Sequence, residues 1–211
     1  FYRQHYIAIS YKRGAWHMQQ IVEKIVRFLE KKGVAPVADH QVYVYGVDAA
    51  LYTIISTAGL ILIGSLLGRV LETILIIAVF YTNQTIGGGF HASTHMRCFI
   101  VMSFGLVIAL ALLNCQPSYI GIGAIAAGAG TLLLAFPLKL HRNKAYLASK
   151  SAELRRRSRV VVCIELFVFV ALGYLGTANI LYAYALGMAV SAVSRLIVIL
   201  PKLRKNTERN L

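Results

Sequence analysis

A histidine and a cysteine, His91 and Cys98, stand seven residues apart, just after a run of three glycines. A cysteine attacks as thiolate, which forms at neutral pH only when a base or a positive field is close to the thiol. The sequence supplies both, because His91 and His95 precede the cysteine and Arg97 is adjacent to it. These residue types predict nucleophilic chemistry by a thiol, with an imidazole as the base.

The spacing leaves the identity of the base open. In one straight helix, His91 and Cys98 would lie roughly 10.5 Å apart along the axis, which is too far for proton transfer. His91 therefore serves only if the chain bends, and glycines permit backbone conformations that other residues avoid. In an unbroken helix His95 is the nearer imidazole. Ser93 or Thr94 can cap a helix here, which places Cys98 about one turn from its positive end.

The chain that must hold these residues is largely apolar. Of its 211 residues 58% are hydrophobic and only 14% are charged, whereas about a quarter of a soluble domain is charged. The apolar runs are continuous and approach the length of about 20 residues that a membrane-spanning helix needs. Six can be drawn: Val47–Leu67, Val70–Ile86, Phe99–Leu113, Tyr119–Leu138, Val160–Leu175 and Ile180–Leu200. The second and third are short and border the Gly-His-Cys stretch. We therefore expect an all-α, polytopic membrane helical bundle of about six transmembrane helices.

Basic residues outnumber acidic ones, 22 to 8, and the formal net charge is +14. They occur in blocks separated by uncharged spans, which favours anionic membrane lipids and an acidic partner over nucleic acid. The blocks are the segment before residue 47, the connection 139–159 and the tail 201–211. By the positive-inside rule both termini and this connection are cytoplasmic. The stretch Gly87–Arg97 then also lies on the cytoplasmic side of a cell membrane.

Three regions follow from this pattern: a cytoplasmic segment 1–46, a membrane domain 47–200 and a basic cytoplasmic tail 201–211. Within the first, Trp16–Lys32 predicts an amphipathic helix that ends at Gly33 and Pro36. Its apolar residues recur at helical spacing and are Ile21, Val22, Ile25, Phe28 and Leu29. Two placements remain open, in the inner membrane interface or docked on the bundle.

Two ionisable residues fall inside the predicted spans, Glu165 in the fifth and Arg195 in the sixth. Charges inside a membrane need partners, so we expect these two to pair. The functional alternative is that Glu165 or Asp48 orients the catalytic histidine. The GxxxG pattern Gly64–Gly68 predicts close helix packing inside one bundle, a homodimer seam being the alternative.

The remaining cysteines, Cys115 and Cys163, are isolated and are expected to be structural. The three cysteines form no CxxC motif and no metal-ligand pair, so neither a metal nor another cofactor is expected.

The stretch Gly88-Gly89-Phe90-His91-Ala92, with Cys98 seven residues after the histidine, resembles the signature of the AgrB family. These are membrane peptidases of bacterial peptide quorum sensing. The likeness extends to six spans and to a basic fourth connection that starts near Pro137. It implies a cysteine endopeptidase at the cytoplasmic face of the bacterial cell membrane. Its partner would be an AgrD-like precursor peptide, which it cuts and helps to close into a thiolactone or lactone ring.

The resemblance also implies roles for particular residues. Cys98 would be the nucleophile and His91 the base, with Gly88 and Gly89 shaping the turn. The family usually has an arginine seven residues before the histidine, where this chain has Gln84, whose amide can donate a hydrogen bond to an oxyanion.

The basic connection has two interpretations. The resemblance supports docking of an acidic precursor tail, and the alternative is a loop that faces the lipid. The docking candidates are Lys139, Arg142, Lys144, Arg155, Arg156 and Arg157. The alternative function for the whole chain is a non-enzymatic membrane protein that binds or exports a peptide or small ligand.

Overall fold

The computed structural model describes residues 16–34, 39–88, 94–115, 117–136 and 151–207. These ranges contain seven α-helices, and a short 3₁₀ helix, Leu113–Cys115, follows the fourth. The helices are α1 Trp16–Lys31, α2 His40–Leu66, α3 Val70–Gly87, α4 His95–Leu112, α5 Tyr119–Ala135, α6 Ser151–Leu175 and α7 Ala178–Thr207. The prediction of an all-α fold is confirmed.

Six of these helices are apolar and correspond to the six predicted segments. Four are long and apolar enough to cross a membrane: His40–Leu66, Met96–Cys115, Ala152–Leu175 and Ala178–Ile199. Two are shorter, Val70–Ile86 and Tyr119–Ala135. At 1.5 Å per residue the shorter ones extend about 25 Å, against about 30 Å for the hydrocarbon core.

One expectation about span length is wrong. The third span was expected to be short, but the helix runs over 20 residues from Met96 to Cys115. The reason is that the helix begins before the apolar run and includes polar residues in its first turn. The second span is short, as expected, and the fourth, α5, is short as well.

Contacts divide the chain into two compact units. The first contains α1, α2 up to Leu60 and the beginning of α4 up to Val101. The second contains α2 from Ile61, α3, α4 from Met102, and α5 to α7.

In the first unit, α1 docks on the beginning of α2. Val22 and Val26 are fully buried against Val44 of α2. The imidazole of His40, in the first turn of α2, contacts two carboxylates of α1: its Nδ1 lies 2.7 Å from Glu30 Oε1, and its Nε2 lies 3.4 Å from a Glu23 oxygen. The structure thus shows α1 in contact with α2, and its placement at the inner membrane interface stays a prediction.

Docking uses only part of the apolar surface of α1. Ile21 and Phe28, which belong to the predicted stripe, remain 49% and 58% exposed. Val26, which the prediction left out, is buried. The helix therefore has one apolar face on α2 and a second one that is uncovered.

Two residues after the end of α1 and of α2 stands a glycine in the left-handed region, Gly33 at φ 70° and Gly68 at φ 66°. Such a residue lets the last carbonyls of a helix accept bonds from the turn that follows. After Gly68, the Arg69 guanidinium bonds Glu72 at 3.2 Å and Asn114 at 3.3 Å. The turn between α2 and α3 is thereby tied to the 3₁₀ helix that follows α4.

In the second unit, α7 packs against α3, α5 and α6. Its residues 181–188 are all buried. The approach to α3 is close at Gly187, where an added Cβ would lie 3.0 Å from Val79 Cβ and 3.2 Å from Ile76 Cα. Small residues permit such an approach between membrane helices. The position of α3 against α7 is therefore closely constrained.

The GxxxG pattern serves two purposes. At Gly64 an added Cβ would overlap the side chain of Thr73 on α3, 2.7 Å from its Cβ. Gly68 instead follows the end of α2, and nothing lies within 4 Å of its would-be Cβ. Close packing inside one bundle is therefore confirmed for Gly64.

Candidate functional site

Cys98 is half-buried in the first turn of α4. Thr94 stands just before the helix, and its Oγ1 accepts a hydrogen bond from the Arg97 N–H at 3.3 Å. The N–H of Cys98 donates to the Thr94 carbonyl at 3.0 Å. Thr94 is thus the N-cap, which was one of the two predicted alternatives, Ser93 or Thr94. Cys98 lies one turn from the positive end of the helix.

The chain between α3 and α4 is not one continuous helix. The former ends at Gly87, and Gly88 has φ 66° and ψ 168°, a conformation that only glycine adopts without strain. Thr94 is also outside a helix. Among the described residues, α4 therefore begins only after Thr94, at His95.

Some of the predicted site residues lie outside the residues that the structure describes: Gly89, His91, Lys139, Arg142 and Lys144. The choice between His91 and His95 as the base stays open.

Among the described site residues, Gln84 is buried near the end of α3 and Asp48 is half-buried on α2. Cys115 and Cys163 are exposed, unlike Cys98. Within the parts of the chain that the structure covers, no group of three His, Cys, Asp or Glu residues is placed to hold a metal ion.

Sequence reasoning missed Asn83, which lies at the centre of a buried polar cluster. Its Nδ2 donates to both oxygens of Glu165, at 2.8 and 2.7 Å, and to the Val79 carbonyl at 3.2 Å. Its Oδ1 accepts from a guanidinium nitrogen of Arg195 at 3.3 Å. The predicted direct pair of Glu165 and Arg195 is wrong, because the Asn83 carboxamide lies between the two groups.

Arg195 extends this cluster to the end of α5 and to a second residue of α6. One of its nitrogens donates to the carbonyls of Leu133 and Phe136 at 2.9 and 3.5 Å, at the end of α5, and the other to Ser158 Oγ of α6 at 3.2 Å. The last carbonyls of a helix have no partner within it and carry partial negative charge, so a cation is favourable there. We call Asn83, Glu165, Arg195 and Ser158 the polar cluster; it joins α3, α5, α6 and α7.

A second feature is a groove on α6 with a volume of about 740 Å³. Three arginines and several apolar side chains line it; the lining residues are Ala152, Arg155, Arg156, Arg159, Val160, Cys163, Ile164 and Phe167. We call this the basic groove. Arg157, a predicted docking residue, is not part of its lining and bonds Glu153 at 2.5 Å. Arg159, which the prediction omitted, is part of it.

These features define a helical membrane protein with a single half-buried cysteine in the capped first turn of a span. The chain belongs to the accessory gene regulator B family, AgrB, whose sequence model matches residues 21–198. That range includes Gln84, His91 and Cys98, so the resemblance seen in the motif is confirmed over most of the chain. Membership implies a role as the peptidase that processes the AgrD propeptide. Comparisons with curated proteins and with solved structures gave no match.

Proposed function

We propose that this protein cleaves an AgrD-like propeptide through a thioester on Cys98 and promotes closure of the peptide into a thiolactone or lactone. One observation carries the proposal: Cys98 lies in the Thr94-capped first turn of an apolar helix. Cys98 lies about one turn from the partial positive charge of that helix end. The preceding helix ends at the Gly88 turn, and the segment that contains His91 joins the two.

In the first step the Cys98 thiolate attacks the scissile carbonyl carbon of the precursor. A C–S bond forms, the C–N bond breaks, and the protonated His91 imidazole gives its proton to the leaving amine. Gln84 is the candidate donor to the oxyanion, and Gly88 with Gly89 shapes the turn. The products are a thioester on Cys98 and a free C-terminal fragment.

In the second step a thiol or hydroxyl of the retained peptide attacks the thioester carbonyl. Its proton passes to His91, and Cys98 leaves as thiolate. Water would give a linear peptide instead, so ring closure requires that the internal nucleophile is pre-placed and water largely excluded. A site at the boundary of the membrane supports both conditions.

A third group would orient the imidazole. Glu165 accepts hydrogen bonds from Asn83 on both oxygens. We assign Glu165 to the polar cluster, and Asp48 stays a candidate for this role.

We place both termini, the basic connection and the site on the cytoplasmic side. The reason is that loops rich in lysine and arginine face the cytoplasm by the positive-inside rule. In this orientation the uncovered apolar face of α1, with Ile21 and Phe28, meets the inner membrane interface. The basic side chains around it meet anionic lipid headgroups.

The experiment that tests the function is trapping of the acyl-enzyme. Purified protein in lipid nanodiscs is mixed with a synthetic precursor, quenched in acid and analysed by mass spectrometry of the intact protein and its peptides. We expect a precursor-derived acyl group on Cys98 that hydroxylamine removes. Release of the C-terminal fragment with the acyl group on another residue contradicts the mechanism. Binding of the precursor without any cleavage supports the binding or export alternative.

The basic groove is our candidate for docking the acidic tail of the precursor, with Arg155 and Arg156 as the predicted residues that line it. The Arg156→Gln variant should raise KM about fivefold and leave kcat nearly unchanged, because a contact at the rim of a site is worth about 1 kcal/mol. The Arg157→Gln variant should raise KM less, because this guanidinium bonds Glu153 and does not line the groove. Steady-state cleavage assays on both variants measure the difference.

Charge reversal separates docking of a peptide from contact with lipid. The variant with Arg155→Glu and Arg156→Glu should weaken cleavage while its amount in the membrane fraction stays at the wild-type level. Equal losses of insertion and cleavage would support the lipid-facing alternative for the basic connection.

A further inference from the structure

We propose that Asn83 is a positioning residue for the peptidase site, because it holds the last turns of α3 in the orientation from which the chain turns at Gly88. This inference rests on the proposed function. It assigns a role to a buried amide that neither contacts the precursor nor belongs to the Gly-His-Cys stretch.

The chemistry of the polar cluster demands an amide at this position. The Glu165 carboxylate can only accept hydrogen bonds, and the Arg195 guanidinium can only donate them. Asn83 is 2% exposed and presents its NH₂ group to the acceptor and its oxygen to the donor. An apolar side chain would leave both charged groups without this partner, and an aspartate would face Glu165 with a like charge.

The location of Asn83 connects the polar cluster to the site. It lies four residues before Gly87, where α3 ends, and it is adjacent to Gln84. One turn earlier, Val79 packs on Gly187 of α7. Two sets of contacts thus constrain the rotation of α3 about its axis: packing at Val79 and hydrogen bonds at Asn83.

This rotation decides the direction in which the chain leaves α3. The Gly88 N–H donates to the Gln84 carbonyl at 3.2 Å, so the turn is built directly on the last helical residues. His91 follows three residues later in the chain. Because proton transfer requires hydrogen-bond distance, a displacement of the order of 1 Å at the end of α3 is enough to reduce kcat by about a hundredfold.

The test exchanges the amide and the carboxylate that meet in the polar cluster, at positions 83 and 165. The Asn83→Asp variant brings a second carboxylate against Glu165, and we expect an apparent Tm about 10 °C below wild type and a kcat at least tenfold lower. In the double variant with Asn83→Asp and Glu165→Gln, the new carboxylate accepts from Arg195 and the new amide donates to it. Total charge and hydrogen-bond polarity are restored. We expect Tm within about 3 °C of wild type and kcat within about threefold.

The assay uses full-length protein in nanodiscs, at a temperature where every variant compared is folded, with KM and the pH profile as further readouts. A role confined to folding predicts wild-type kcat for the folded fraction of Asn83→Asp. A positioning role predicts lower kcat with unchanged KM and an unchanged pH profile. Thr85→Ala is the matched control, because Thr85 is exposed on the same turns of α3 and its hydroxyl bonds only the carbonyls of Tyr81 and Thr82. It should match wild type.

Two results overturn the proposal. One is wild-type kcat in folded Asn83→Asp, or in Asn83→Ala if the aspartate variant does not fold. The other is a double variant that regains Tm but not kcat. Failure of the proposed function looks different, because the wild-type protein then cleaves no precursor. The Tm should still fall in Asn83→Asp and recover in the double variant, since that pattern depends only on the hydrogen bonds of the polar cluster.

Discussion

Replacement of Cys98 by alanine is expected to reduce release of the C-terminal precursor fragment by at least about a thousandfold. The reason is that the proposed mechanism has no other nucleophile to form the thioester. The measurement is the appearance of the C-terminal fragment from a co-expressed precursor, followed by gel shift or mass spectrometry. The change from thiol to methyl group is small and the position is half-buried, so the variant should fold as the wild type does.

The matched control for this variant is Cys115→Ala. Cys115 is exposed in the 3₁₀ helix after α4 and should be dispensable for cleavage. Alanine substitution of each histidine then identifies the base: His91→Ala should lower kcat at least about a hundredfold and His95→Ala much less. The reverse order would make His95 the base. Undiminished cleavage by Cys98→Ala would falsify the proposed mechanism.

The second large effect is expected for Gly64→Ala. The added methyl would lie 2.7 Å from Thr73 Cβ, well inside van der Waals contact. Thr73 cannot retreat easily, because it is fully buried and its Oγ1 donates to the Arg69 carbonyl at 2.7 Å. Overpacking of this kind costs about 1–3 kcal/mol, which corresponds to an apparent Tm about 5 °C lower. Thermal unfolding of the purified protein in detergent measures the shift.

Gly123→Ala is the matched control for this substitution. Nothing lies within 4 Å of the would-be Cβ at Gly123, and alanine is favoured over glycine in a helix by about 0.5–1 kcal/mol. Its Tm should equal or slightly exceed that of wild type. The double variant with Gly64→Ala and Thr73→Gly moves the side chain from one helix to the other and should recover part of the loss. A Gly64→Ala protein as stable as Gly123→Ala contradicts close packing of α2 on α3.

The sequence was most informative where the controlling interactions are local. The start of α4 could be predicted because an N-cap side chain bonds N–H groups only a few residues away, as Thr94 does with Arg97. The end of α1 follows the same logic at Gly33. The length of the third span was underestimated because Arg97 and its neighbours look like a loop by hydropathy, although the cap already starts the helix before them.

Interactions over long sequence distances could not be predicted in the same way. Asn83 and Glu165 are separated by 82 positions, and Asn83 and Arg195 by 112. Charge alone suggests that Glu165 pairs with Arg195. Only the packing of α3 between the helices that carry them shows that an amide lies between the two.

By itself, the sequence determined the class of this protein and the position of its candidate nucleophile. Continuous apolar runs, separated by basic blocks, specify membrane helices because composition and spacing are properties of each segment. The tertiary structure alone decided which side chains meet. Arg156 and Arg157 are neighbours in the chain, yet they point about 100° apart around α6, so that one lines the basic groove and the other bonds Glu153. Partners of this kind depend on the rotation of each helix, which packing against its neighbours sets.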